Sequence, residues 1–84
     1  MQNSIILITG GTGTFGKAFL HRLLKYNPKE IRIFSRDESK QYQMMQETKH
    51  YPNVKYYIGD IRDKSSVDKV MKNVNYIFHA AAMK

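Results

Sequence analysis

The 84-residue sequence predicts an α/β fold built on a parallel β-sheet. Short apolar runs alternate with segments of helical period, and the connections between successive runs are roughly 20 residues long, which leaves room for a crossover helix between parallel strands. Such crossovers are right-handed, so the expected strand order is 3-2-1-4, the first half of a doubly wound sheet.

The first strand and helix are predicted from a change of period. Residues 5–8 are wholly apolar, which is typical of a strand buried on both faces. The helix that follows ends at Asn27-Pro28. Its apolar residues are spaced to form one face, which we expect to lie on the sheet: Phe15, Ala18, Phe19, Leu23 and Leu24.

The second strand is predicted at residues 31–34. A polar, glutamine-rich helix begins at residues 37–39 and is closed by residues 51–53. Its apolar face is weak, and Tyr42 and Met45, followed by Met44, are the expected contacts with the sheet.

The last three elements follow the same alternation. A third strand covers residues 54–58 and is cut by Gly59-Asp60, and a short helix begins at Ser65 or Ser66. A fourth strand at residues 75–79 continues into an alanine run.

Composition excludes several classes of function. The formal net charge of +7 comes from lysines and arginines scattered through every predicted element, which favours a solvated surface over a nucleic-acid interface. Cysteine is absent, so thiolate metal sites and disulfides are excluded. Without a signal peptide or an apolar segment of roughly 20 residues, the expectation is a soluble cytoplasmic protein that does not engage a membrane.

A glycine-rich turn, Thr-Gly-Gly-Thr-Gly-Thr-Phe-Gly at residues 9–16, joins the first strand to the first helix. In this context Gly10 permits a tight turn, Gly13 lets a pyrophosphate approach the backbone, and Gly16 allows close packing of helix on strand. Thr12 and Thr14 add hydroxyl donors. The pattern predicts a Rossmann-type dinucleotide site, with an ordinary connecting loop as the alternative. A triphosphate-binding loop is disfavoured because Ala18 stands where a hydroxyl should bind Mg²⁺.

The residues after the second strand favour NADP over NAD. An NAD site places a carboxylate there for the ribose hydroxyls, whereas this chain has Ser35. Arg36 supplies donors suited to a 2′-phosphate, and Lys40 adds a second positive charge one helical turn further on. Asp37 leaves NAD open, because a rotated loop would present its carboxylate to the ribose.

Residues after the third and fourth strands would complete the cofactor site. Asp60 is placed to accept from the adenine amino group and Ile61 to pack on the ring, although a turn cap explains Asp60 as well. The small side chains of Ala80 and Ala81 leave room for the cofactor. His79 ends a strand, where a structural hydrogen-bonding role is favoured over general base catalysis.

Four segments together resemble the extended short-chain dehydrogenase/reductase family: the glycine turn, Phe-Ser-Arg-Asp-Glu, Gly-Asp-Ile-Arg-Asp and His-Ala-Ala-Ala-Met-Lys. Within it they are most similar to the polysaccharide-biosynthesis branch, the C5-inverting UDP-N-acetylglucosamine 4,6-dehydratases. Met83 and Thr14 are mild departures from that pattern. By this resemblance, the cofactor-binding residues are Gly10, Thr12, Gly13, Thr14, Phe15, Gly16, Ser35, Arg36, Asp37, Glu38, Lys40, Asp60, Ile61, Ala80, Ala81 and Lys84.

The resemblance implies a lyase for which NADP is a recycled catalyst and a UDP-sugar is the substrate. The family's catalytic Tyr-x-x-x-Lys would follow Lys84, so residues 1–84 are expected to be an NADP-binding half-domain, without catalytic residues, of a longer homo-oligomeric enzyme. A UDP-sugar 4-epimerase and a non-catalytic NADP-binding module are the alternatives.

Overall fold

Parallel strands and helices alternate along the chain, as the apolar pattern predicts. The computed structural model of the chain describes residues 2–10 and 12–80. In those residues the elements are β1 Ile5–Thr9, α1 Thr14–Leu24, β2 Glu30–Ser35, α2 Glu38–Glu47, β3 Val54–Ile58, α3 Lys64–Met71 and β4 Tyr76–His79. The strands form one parallel sheet in the order β3-β2-β1-β4, which confirms the predicted order.

The register of the sheet brings the functional segments to one edge. Thr9 pairs with Phe34 on one side and with His79 on the other, and Ser35 pairs with Ile58. Because all four strands run in the same direction, the loops after them open at the same carboxyl edge, where open α/β sheets bind ligands.

Side-chain alternation divides the core between the two faces of the sheet. Ile6, Ile8, Ile31 and Ile33 pack with residues of α1 and α2. On the other face, Leu7 and Phe34 pack with Val70 of α3. The central strand β1 is buried along its whole length, as its unbroken apolar run predicts.

The predicted face of α1 is partly wrong. Leu20 and Leu23 are buried, whereas Phe15 is half-exposed and Ala18 is exposed. The helix begins at Thr14, and its buried positions are Gly16, Leu20 and Leu23, spaced four and three residues apart. This register turns positions 15 and 18 away from the sheet.

The predicted face of α2 is also partly wrong. Met44 is buried as expected, but Tyr42 is 64% exposed and Met45 is 47% exposed. The second buried residue of this helix is Gln41, whose amide finds hydrogen-bond partners at the sheet. These hydrogen bonds offset the cost of removing the Gln41 amide from water, so Gln41 and Met44 are buried on the same face of the helix.

The start of α3 differs slightly from the prediction. Asp63 is the N-cap, and its carboxylate accepts from the Ser65 N–H at 3.1 Å and from the Ser66 hydroxyl at 2.9 Å. The two serines therefore lie inside the first turn. Across the described part of the chain, no helix is both long enough and apolar enough to cross a bilayer.

Candidate functional site

A cleft of about 1030 Å³ opens at the carboxyl edge of β1, β2 and β3. Nine of the predicted site residues line it: Gly10, Thr12, Ser35, Arg36, Asp37, Glu38, Lys40, Asp60 and Ile61. Ser39, which lies in the segment 35–40 expected to surround the 2′-phosphate, lines it too. The remaining lining residues are Thr9, Phe34, Gly59 and Arg62.

Five other predicted site residues that the structure describes do not line this cleft. Gly13, Thr14, Phe15 and Gly16 form the start of α1, immediately after the lining residue Thr12. Ala80 is buried directly after β4. Ala81 and Lys84 lie outside the described residues, as does Gly11 of the glycine turn.

Two glycines of the turn have different physical reasons to be glycine. Gly10 has φ of 67°, a left-handed conformation that disfavours any side chain, and its N–H donates to the Phe34 carbonyl at 2.8 Å. Gly13 has an extended backbone that any residue adopts, and a Cβ there would approach only the Gly10 carbonyl, at 4.0 Å. Nothing in the described fold requires glycine at position 13, so the open space beside it is available to a ligand.

The beginning of α1 differs from the beginnings of the other two helices. Asp37 and Asp63 cap α2 and α3 with their carboxylates, whereas Gly13 at the start of α1 offers no side-chain acceptor. The first turn of α1 also lacks an acidic residue. Its N–H groups and the positive end of the helix dipole are therefore suited to an anion such as a pyrophosphate.

The end of β2 is fixed by a residue that the sequence did not single out. The buried Gln41 amide donates to the Ser35 hydroxyl at 3.0 Å and to the Tyr57 carbonyl at 2.8 Å. It thereby ties the ends of β2 and β3 to α2. A glutamine in a polar helix gives no signal of this role, because its partners are distant in sequence or belong to the backbone.

Asp37 and Lys40 also take part in the local fold. The Asp37 carboxylate accepts from the Lys40 backbone N–H at 2.9 Å, so one of its oxygens already serves as a helix cap. Both side chains are exposed and line the cleft beside Glu38. The Lys40 ammonium is left free of this contact, which uses the backbone.

Asp60 lies between two arginines. Arg62 donates to it through its backbone N–H at 2.9 Å and through Nη2 at 2.8 Å, and Arg36 Nη1 is 3.6 Å away. The hydrogen bonds from the Arg62 side chain and backbone, aided by the charges of both arginines, hold the pKa of Asp60 well below its usual range. The same carboxylate raises the pKa of Arg62.

Ile61 and His79 complete the edge of the sheet. Ile61 is 53% exposed next to Asp60 and offers an apolar surface to a flat ring. His79 Nδ1 is 2.9 Å from the Thr9 hydroxyl, a hydrogen bond of the structural kind expected for this residue. The described residues thus provide a place for a pyrophosphate, cations for a phosphate monoester and an apolar contact for a base, a set that fits a dinucleotide.

Comparison with protein families gives a match to the family described as "Polysaccharide biosynthesis protein", over residues 6–84. The chain belongs to this family. The match confirms the resemblance to the polysaccharide-biosynthesis branch of the extended short-chain dehydrogenases/reductases.

Relatives of this family member include UDP-glucose 4-epimerases of rickettsiae. The protein of that name from Rickettsia bellii (strain OSU 85-389) is 55% identical over 83 residues, which cover 94% of this chain and 24% of the relative. The one from Rickettsia rickettsii (strain Sheila Smith) is 54% identical with the same coverage. The chain thus spans about a quarter of the length of these curated relatives.

Solved structures share the fold of this family member. The X-ray structure of Pen from Bacillus thuringiensis matches with a TM-score of 0.89 at 42% identity, over 93% of this chain and 24% of Pen. A dTDP-glucose 4,6-dehydratase from Bacillus anthracis, solved in complex with NAD, matches with a TM-score of 0.78 at 26% identity. That match covers 90% of this chain and 26% of the dehydratase.

Proposed function

We propose that this chain is the NADP-binding half-domain of a longer enzyme that acts on a nucleotide sugar, a C5-inverting UDP-N-acetylglucosamine 4,6-dehydratase of bacterial polysaccharide or glycan biosynthesis. The observation that carries the proposal is the cleft at the carboxyl edge, which Thr12 and Arg36 line, together with the open space at Gly13 and the uncapped start of α1 that follow Thr12 directly in the chain. Family membership supports the polysaccharide pathway.

In the proposed complex the cleft and the adjoining start of α1 bind different parts of the cofactor. Gly13 and the first turn of α1 bind the pyrophosphate, Arg36 and Lys40 bind the adenosine 2′-phosphate, and Asp60 with Ile61 holds the adenine. The bound cofactor supplies reversible hydride acceptance, which the side chains of this chain cannot provide. The residues described here therefore serve to bind and orient, and positioning contributes a large part of the rate in such reactions.

Two contacts support NADP rather than NAD, the cofactor of the Bacillus anthracis dehydratase structure. Ser35 stands at the end of β2 in place of a carboxylate, and Gln41 holds its hydroxyl. The nearby Asp37 uses one carboxylate oxygen to cap α2. A 2′-phosphate would therefore meet the Arg36 guanidinium at the end of β2, where the adjacent Asp37 carboxylate is already partly engaged in the helix cap.

The test of the cofactor proposal is calorimetric titration of the full-length protein with NADP and with NAD. Tighter binding of NADP is expected. Equal affinities would contradict the interpretation of Ser35 and Arg36, and binding of neither dinucleotide would refute the proposed function.

A UDP-glucose 4-epimerase is the second candidate, favoured by the rickettsial relatives of that name. Product analysis on the full-length protein separates the two reactions. A dehydratase converts UDP-N-acetylglucosamine to a 4-keto-6-deoxy sugar with loss of water. An epimerase instead inverts C4 of its substrate and leaves the mass unchanged.

A further inference from the structure

Arg62 holds Asp60 with an unusually complete set of contacts for an exposed side chain. Its Nε lies 3.1 and 3.2 Å from the two carboxylate oxygens, and its Nη2 lies 2.8 Å from Oδ2. Its backbone N–H donates to Oδ1 at 2.9 Å. The Arg62 side chain is 76% exposed, so these contacts do not bury it in the core.

Arg36 reaches the same carboxylate more weakly. Its Nη1 is 3.6 Å from Asp60 Oδ2, longer than a hydrogen bond, and its side chain is 69% exposed at the cleft. Two guanidinium groups therefore share one carboxylate, and Arg62 makes the shorter contacts. As a result, Asp60, Arg36 and Arg62 together keep one positive charge in excess, and within residues 2–10 and 12–80 the donors of Arg36 form no hydrogen bond.

We propose that Arg62 is a positioning residue for cofactor selectivity: by occupying Asp60, it leaves Arg36 available to bind a phosphate monoester at the end of β2. The inference rests on the proposed NADP site and deepens it. Arg62 then affects the 2′-phosphate through Asp60 and Arg36, without contacting the phosphate.

Removal of Arg62 would change the partner of Asp60. Arg36 would become its nearest guanidinium. A planar guanidinium readily forms two parallel hydrogen bonds with a free carboxylate. The positive charge of Arg36 would be offset by Asp60, and a 2′-phosphate would have to compete with that carboxylate. The protein should therefore bind NADP more weakly, whereas its affinity for NAD, which has no 2′-phosphate, should not change.

The experiment compares dissociation constants of NADP and NAD for variants of the full-length protein. Arg62→Ala should reduce the preference for NADP by roughly threefold to tenfold, the scale of coupling within an exposed charge network. The double variant Arg62→Ala/Asp60→Asn should restore the preference, because the competing carboxylate is gone. Lys64→Ala is the matched control, since Lys64 is exposed near Arg62 but outside the cleft, and it should leave the preference unchanged.

The double variant separates this inference from direct phosphate binding by Arg62. If Arg62 contacted the phosphate itself, the double variant would remain as unselective as Arg62→Ala, and the inference would be overturned. A preference unchanged in Arg62→Ala would overturn it too, while leaving the NADP site intact.

The ratio of the two affinities also guards against loss of structure. A damaged fold would weaken the binding of NADP and of NAD together and leave the ratio of their dissociation constants unchanged. Weaker binding of both cofactors with an unchanged ratio would therefore count against the inference. Arg62→Lys provides a second test. Lysine keeps the positive charge but lacks the paired donors of a guanidinium, so its preference for NADP should lie between those of the unmutated protein and Arg62→Ala. Failure of the unmutated protein to bind either dinucleotide would refute the proposed function and this inference together.

Discussion

Gly13 and Gly59 lie near the same site but differ in the space that the fold leaves for a side chain. A Cβ at Gly59 would lie 2.5 Å from Cε1 and 2.8 Å from Cζ of Phe34, so the core itself excludes a side chain there. At Gly13 the nearest such atom is 4.0 Å away. The fold therefore leaves room for a side chain at Gly13 and excludes one at Gly59.

Replacement of Gly13 by valine should abolish NADP binding and leave the fold largely intact. The branched side chain would occupy the path of the pyrophosphate, while the extended backbone at this position tolerates it. Titration calorimetry and circular dichroism measure the two effects. Gly59→Ala is the matched comparison and should destabilise the fold by about 1–3 kcal/mol, because Phe34 must move. Retained binding by the Gly13→Val variant would show that the turn is only a connection.

Arg36→Ala should narrow the difference in binding free energy between NADP and NAD by about 1–3 kcal/mol, the scale of charged hydrogen bonds. The loss should fall on NADP, since NAD lacks the 2′-phosphate. Arg22→Ala provides the control, because Arg22 is an exposed arginine in the last turn of α1, remote from the cleft. A difference that Arg36→Ala leaves unchanged would count against a 2′-phosphate contact.

The ionisation of Asp60 offers a test that needs no ligand. Its pKa lies below the ordinary 3.8 in the folded protein. Because the folded value is the lower one, the contacts with Arg62 stabilise the fold fully above the unfolded pKa, and this contribution is lost as pH falls through the folded pKa. Carboxyl-carbon NMR should follow the titration. In Arg62→Ala the pKa of Asp60 should rise above its value in the unmutated protein but stay below 3.8, because Arg36 remains beside the carboxylate. An ordinary pKa in the unmutated protein would argue against the contacts.

At the scale of elements, the sequence predicts where helices and strands lie better than which way a helix faces. The apolar run of β1 and the capping role of residues around Asp37 were sufficient to locate those elements. The burial of Gln41 was not predictable, because it depends on a carbonyl of β3 and on the Ser35 hydroxyl, which only the fold brings near. Arg62 was missed for the related reason that its partner Asp60 was assigned to adenine or to a turn.

Gln41→Leu should loosen the junction of α2 with the sheet. The Tyr57 carbonyl and Ser35 hydroxyl would lose their donor in a largely water-excluded place, at a cost of about 1–3 kcal/mol. Amide hydrogen exchange should become faster at Gly59, whose N–H donates to the Ser35 carbonyl. Gln43→Leu changes an exposed residue of the same helix and should leave the exchange rate unaltered. Equal rates in both variants would refute the role of Gln41.

At the scale of the whole molecule, the neighbouring strands β1 and β4 differ in how far they are buried. All of β1 is buried, whereas Tyr76 and Ile77 of β4 are 46% and 39% exposed. The parallel arrangement and the strand order were predictable, because alternation and crossover handedness determine them. The position of Arg62 beside Asp60 was not predictable, because exposed side chains follow no periodic pattern in the sequence.

The 84-residue chain produced alone should show no dehydratase activity with NADP and UDP-N-acetylglucosamine. The described residues line the proposed cofactor cleft, and among them the hydrogen-bond partner of His79 is Thr9 rather than an acidic group that would orient a general base. The exposed β4 should also favour self-association. Assays of the 84-residue chain beside the full-length protein, with light scattering, test both points. The 4-keto-6-deoxy product from the short chain would mean that one of its own residues is catalytic.

The Gln41 amide has a consequence for the thermodynamics of binding. Together with the N–H of Gly59 on the Ser35 carbonyl and that of Gly10 on the Phe34 carbonyl, it extends the bonding of the sheet beyond its last paired residues. At the ends of β1, β2 and β3 the backbone is thus preorganised in the free protein and has little conformational entropy left to lose. On the proposed function, the entropy lost on binding would come mainly from the dinucleotide itself and from a few long side chains, Arg36 foremost among them.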